Sequence, residues 1–324
     1  SNEDVKHAAI KALANHKGQV AVDKLKLALK DRNPATRDLA VESLRGVTGK
    51  NYGDDPSAWI AALEGKPTPE AETRIADREP VITLALDGHP ARAYPIRYLT
   101  WHEIVNDRIG GAPVTVTFCP LCNSAMVFDG RVRGRTLTFG VTGKLRNSDM
   151  VMFDRETESW WQQAIGEAIV GDLTGTQLRA LPSWMESFAQ FKARNPSGLV
   201  MEQPDYDRSY GRNPYAGYDS SSRPFLYSGE NPPHGISPLE RVVRVGNRAW
   251  PLTRIRETGG VHEAGVSISW EKGQASALDH ATIAKGRDVG TVRVRDGQGR
   301  NVAHDVMFAF AFHAFWPKGR WMVR

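Results

Sequence analysis

Val114-Thr115-Val116-Thr117-Phe118-Cys119-Pro120-Leu121-Cys122 is the stretch on which the reading of the fold turns. Its first five residues are β-branched or aromatic and read as a strand. The cysteine pair follows at once, so it belongs where a strand ends in a loop. Outward from it, strands are predicted at about 124–129, 135–141 and 147–154, with turns at Asp129-Gly130 and Gly134. Upstream, 81–86 and 91–94 flank Asp87-Gly88 as a hairpin, and Tyr98 to Arg108 reads as a helix. Downstream, Ser183 to Arg194 reads as an amphipathic helix with Trp184, Phe188 and Phe191 on one side. Strands resume at 241–245, 249–252, 266–270 and 290–295. Residues 203–238 are rich in Pro, Gly, Ser, Tyr and Asn. They read as a long ordered loop, and a loop of that length in a compact domain calls for a function.

The first 64 residues have a different texture. Ala8, Ala9, Ala12 and Leu13, then Val22, Leu25 and Leu29, keep helical spacing, and Pro34 stands at a helix start. The segment LKDRNPATRDLAVESL at 29–44 resembles a HEAT-type repeat of stacked helix pairs, and a fourth short helix is expected from Pro56 through Trp59 to Leu63. Lys66-Pro67-Thr68-Pro69-Glu70 is the linker candidate. The predicted fold class is therefore α+β. A short HEAT-like helical segment, 1–66, precedes a large, mostly antiparallel β-rich domain with a few helices, 67–324.

The 324 residues carry 42 Lys and Arg against 37 Asp and Glu, a net charge of +5 without any long basic run. That balance argues against nucleic acid as the partner. No stretch reaches the roughly 18 apolar residues of a membrane span. The start at Ser1-Asn2 is compatible with a removed targeting segment, and the expectation is an exported, periplasmic bacterial protein. The helical repeats are the expected docking surface for a protein partner.

The central motifs are AYPI at 93–96, WHEIVND at 101–107, TFCPLC at 117–122, FGVTGKLRNSD at 139–149 and MFDRET at 152–157. In this order they resemble domain of unknown function 3179, a bacterial family, over roughly residues 75–316. The resemblance implies a domain identity and a set of important residues, and it supplies no reaction.

Cys119 and Cys122 are the only cysteines in the chain. A CxxC turn can aim two thiolates at one point, which suits Zn or Cu(I), or it can form a reducible disulfide. A thioredoxin-type site is disfavoured, because Asp129-Gly130 ends the following segment within eight residues and leaves no room for a long helix. A zinc ribbon needs a second CxxC. A third metal ligand is sought among His102, His304 and His313. With a helix to Arg108, His102 would fall roughly 10 Å short of the sulfurs. Asn147, Asp149 and Asp154 are placed on one strand, with Asn147 and Asp149 facing one way and Asp154 the other, paired with Arg146 or Arg155. Asn147, Asp149 and Asp154 are expected to bind a ligand together with Trp160, Gln163, Tyr215 and Tyr218, the aromatics lining its cleft. Three readings stay open: a metal-binding protein, a thiol–disulfide or metal-assisted enzyme, and a non-catalytic binding module.

Overall fold

The computed structural model describes residues 2–16, 18–31, 33–50, 56, 59, 75–206, 208, 210 and 212–324. The chain divides into two compact units, 1–74 and 75–324. In the first, helices Asn2–Leu13, Gln19–Ala28 and Pro34–Thr48 pack Ile10, Leu25, Leu29, Val41 and Leu44 into one small core with Trp59. Asn33 caps the third helix by accepting from the Ala35 N–H, and Gly49 ends it in the left-handed conformation. These helices are what the structure shows where HEAT-like pairs were expected; no stack of repeats is present among the described residues. Apart from Pro56 and Trp59, the expected fourth helix and the 66–70 linker lie outside the described residues.

The second unit is β-rich and mostly antiparallel. Its strands form four sheets of four strands and one of three, an arrangement resembling a five-bladed β-propeller, with a separate two-stranded ribbon, Arg131–Val132 against Arg135–Thr136. The sheet holding the cysteines orders Ala180–Leu181, Ser124–Asp129, Ala112–Cys119 and Ile104–Ile109. Beside it stands the sheet Glu167–Val170, Trp160–Gln162, Asp149–Asp154 and Phe139–Arg146. A third places Asp305–Phe308 against Arg241–Val245. Val116 and Phe118 are fully buried in the shared core, each stabilising it by about 1.5–3 kcal/mol.

Three local expectations are corrected. The helix predicted from Tyr98 to Arg108 runs Ile96–His102 and stops there. Ile104–Ile109 is instead a strand, pairing residue for residue with Ala112 to Thr117 through a two-residue Gly110-Gly111 turn. Both glycines have positive φ, as a type I′ hairpin demands, and the β-branched Ile104 and Val105 favour the ladder over another helical turn. The helix predicted over Ser183–Arg194 is half strand. Ser183–Ser187 pairs with Pro80–Leu84, and a capping box between Ser187 and Gln190 then opens the helix Phe188–Arg194. Finally, the strand expected from Asn147 begins at Asp149, because Asn147 and Ser148 form the turn itself.

Candidate metal centre

Cys119 is the last residue of its strand and sits opposite Ser124 across the turn. The turn is braced by residues far away in sequence. Phe308 donates its N–H to the Cys122 carbonyl (2.8 Å), the Asn123 amide donates to the Val306 carbonyl (2.7 Å), and the Ala125 N–H donates to Asp305 (2.9 Å). The strand Asp305–Phe308 thus fixes the Cys122 end of the CxxC segment and the residues that follow it. Asn123 holds φ at 52°, a left-handed conformation that asparagine tolerates and that brings the chain back towards Ser124.

The neighbouring sheet supplies the rest. Asn147 and Ser148 have φ of 51° and 61°, so the hairpin turns on two non-glycine residues in the left-handed region. That strained turn aims the Ser148 carbonyl at the sulfurs, where it accepts from Cys122 Sγ (3.4 Å) and, more weakly, from Cys119 Sγ (4.0 Å). Asp149 follows. One of its carboxylate oxygens and both sulfurs lie within 4.8 Å of one another, and all three residues are buried. Among the described residues this is the one group of three thiol, carboxylate or imidazole donors so close together.

Asp149 is held by one oxygen. Oδ2 accepts from the Ala164 N–H (3.0 Å) and from Gln162 Nε2, while Oδ1 is buried and has no hydrogen-bond partner. A buried acceptor without a donor costs about 1–3 kcal/mol. Burial pushes the Asp149 carboxyl up to about 6 against the pull of those donors. Burial pushes both thiols up as well, Cys122 further than Cys119. The site as it stands favours protons, and a cation is the species that would replace them.

Glu103 completes the electrostatics, and sequence reasoning did not single it out. It ends the helix Ile96–His102 at φ 59°, and Phe118 donates its N–H to the Glu103 carbonyl (2.8 Å). Burial, reinforced by Asp149, pushes its carboxyl up to about 7. The long loop covers the turn. Tyr218 donates its hydroxyl to the Leu121 carbonyl (3.0 Å) and accepts from the Phe225 N–H (3.2 Å), while the Ser148 hydroxyl donates to the Phe225 carbonyl. Burial raises Tyr215 to about 12, with Glu103 and Cys119 adding to the shift, so its phenol belongs to the same neighbourhood.

The other expected residues are distributed as follows. Gln163 lies beside the pair, its amide donating to Thr117 Oγ1 (2.8 Å). None of the three histidines joins the cysteines. The His102 ring bonds the Tyr210 hydroxyl, and His304 is buried with Nδ1 on the Val302 carbonyl (2.8 Å). His313, on the helix Ala309–Phe315, faces Trp321 and Glu230. Asn147 is exposed on its turn. Asp154 pairs with neither Arg146 nor Arg155. It accepts from the Thr157 N–H and hydroxyl and from Trp161 Nε1 (2.8 Å), which makes it the anchor of a tight turn. Trp160 is half-buried under the Lys144 ammonium.

Fold and site together define a β-rich protein with a buried dithiol–carboxylate cluster roofed by a tyrosine-bearing loop. The chain belongs to the family described as Protein of unknown function (DUF3179), whose model matches residues 64–319. No curated protein and no solved structure matches it. Among the described residues, no helix is long and apolar enough to cross a membrane.

Proposed function

We propose that Cys119, Cys122 and Asp149 bind one soft or borderline metal ion, Zn(II) or Cu(I), and that the protein carries or senses that ion. The observation that carries this is the orphaned Oδ1 of the fully buried Asp149, on a carboxylate grouped with two thiols. Two thiolates and a carboxylate fit three corners of a tetrahedral Zn(II) site, while Cu(I) needs the thiolates alone. Gln162 and the Ala164 N–H, by holding Oδ2, would orient the carboxylate as outer partners of metal ligands do. A fourth position left open would allow metal-assisted chemistry beside Glu103 and Tyr215. An exported, periplasmic location belongs to the same proposal and is tested by fractionating cells.

Elemental analysis of protein purified under reducing conditions, then loaded with Zn(II) or Cu(I) and desalted, tests the reading. About one equivalent in the wild type and none in Cys122→Ser is expected. A wild type that retains neither metal overturns it.

A second reading, thiol–disulfide exchange, has one observation in its favour. Both cysteines are free and buried, and their sulfurs lie within 4.8 Å of each other, close enough for a small movement to join them. Titrating free thiols against redox potential decides it. A pair that stays reduced, or stays oxidised, at every biological potential cannot turn over.

A further inference from the structure

The strand Arg241–Val245 carries a buried cation, Arg244, that no carboxylate among the described residues partners. Arg244 is 9% exposed. Its Nε has no hydrogen-bond partner, Nη1 reaches the Gly246 carbonyl only at 3.4 Å, and Nη2 meets the Met126 sulfur at 3.5 Å. Asp305 is its cross-strand neighbour, but that carboxylate accepts from the Ser124 hydroxyl with one oxygen and from the Ala125 N–H with the other. Asp305 therefore attracts the guanidinium only from a distance. A buried charge without a close partner is strongly disfavoured, and a guanidinium presents a fork matched to a carboxylate.

The surroundings of Arg244 point to an occupant. The side chain lines a cavity of about 390 Å³, within the range of small-molecule sites. Met126, Phe128 and Leu178 supply an apolar wall, and Trp316 lies under the guanidinium, 4.7 Å from it to the ring centroid. Arg146 sits over the adjacent Phe315 at 5.7 Å, adding a second positive charge near the aromatic rim. Glu167 and Gln177 form the polar side. The one carboxylate on that wall disfavours a second negative charge on a ligand.

We propose that this cavity binds a small organic monocarboxylate, its carboxylate on the Arg244 fork and its flat or aliphatic body against the Phe128–Leu178 wall beside Ala180. The site is separate in chemistry from the cysteine centre, and neither proposal needs the other.

Calorimetric titration with phenylacetate, indole-3-acetate and octanoate, each compared with its primary amide, is the test. At least one carboxylate is expected to bind at one equivalent, and its amide at least tenfold more weakly. Arg244→Met should lose at least tenfold in affinity. Because removing a buried arginine can disturb folding, Ala180→Phe provides a second arm: it fills the cavity and leaves the guanidinium in place, and it should abolish binding. Cys122→Ser should bind the carboxylate as the wild type does. No binding by any of the three acids, equal binding of acid and amide, or undiminished binding by Ala180→Phe overturns the proposal.

Discussion

Phe118 donates its backbone N–H to the carbonyl of Glu103 at 2.8 Å, so the end of a helix is fastened to the strand that delivers the cysteines. This bond brings a carboxylate into the electrostatic reach of Asp149. The folded protein holds the Glu103 proton more tightly than the unfolded chain does, so the stability linked to this group falls as pH rises from 4.5 towards about 7. Glu103→Gln removes the ionisable group and keeps its shape. The variant should gain stability over the wild type in urea melts near pH 8 and lose that advantage near pH 5. An advantage independent of pH would sink the argument.

Asp149→Asn separates metal affinity from folding. The asparagine oxygen can take the place of Oδ2 and keep the Ala164 and Gln162 bonds, which puts an N–H donor where the orphaned Oδ1 now lies. A donor there cannot ligate a cation. Zn(II) affinity, measured by competition with a chelator, is expected to fall at least tenfold, about 1.4 kcal/mol, while the melting temperature of the metal-free protein is maintained or rises. Cu(I) affinity should change less, since two thiolates suffice for it.

Tyr218 is the clasp of the loop over the turn, through Leu121 and Phe225. Tyr218→Phe deletes a hydroxyl that both donates and accepts, and about 1 kcal/mol of stability should go with it. The sharper readout is local. The Phe225 amide should exchange with solvent faster, and Cys119 and Cys122 should react faster with a thiol reagent. Unchanged thiol reactivity would show that the loop does not guard the pair.

His304 sets an acid limit on stability. Burial lowers its pKa from 6.5 to about 4, against the backbone carbonyls that bond it. Between those values the unfolded chain takes up a proton that the folded protein refuses. The stability it contributes is complete above about pH 6.5 and is lost as pH falls towards 4. The loss by pH 5 is about 2 kcal/mol from this group. Urea unfolding of the wild type and His304→Gln at pH 7 and 5 checks it, and the variant should show a smaller drop.

The cysteine turn, the strands flanking it and the hairpin at Asp87-Gly88 were legible because their causes are local: β-branched runs, glycine turns and alternation. The α+β, mostly antiparallel character followed from the same signals. The division into small sheets did not, since no local pattern says which strands pair across a hundred residues, as Pro80–Leu84 does with Ser183–Ser187. The end of the helix at His102 was missed for a related reason. Trp101 to Arg108 satisfies a helical pattern, and only pairing with Ala112–Cys119 makes its last five residues part of a strand. Of the site, Cys119, Cys122, Asp149, Gln163, Tyr215 and Tyr218 were named in advance, though Asp149 was not taken for the third donor. The Asn147-Ser148 pair carried a readable signal, two turn-tolerant residues between strand-like runs, and with it the register that buries Asp149.

By itself, the sequence determined that two thiols would stand together at a strand end, because two intervening residues cannot separate them far. It could not choose what faces them. Asp149 and Asp154 lie on one strand with similar neighbours, yet one is grouped with the sulfurs and keeps a bare oxygen, and the other is consumed by Thr157 and Trp161. The packing of two sheets side by side made that choice. A carboxylate's role is set by which donors burial leaves within its reach, and those donors come from elsewhere in the chain.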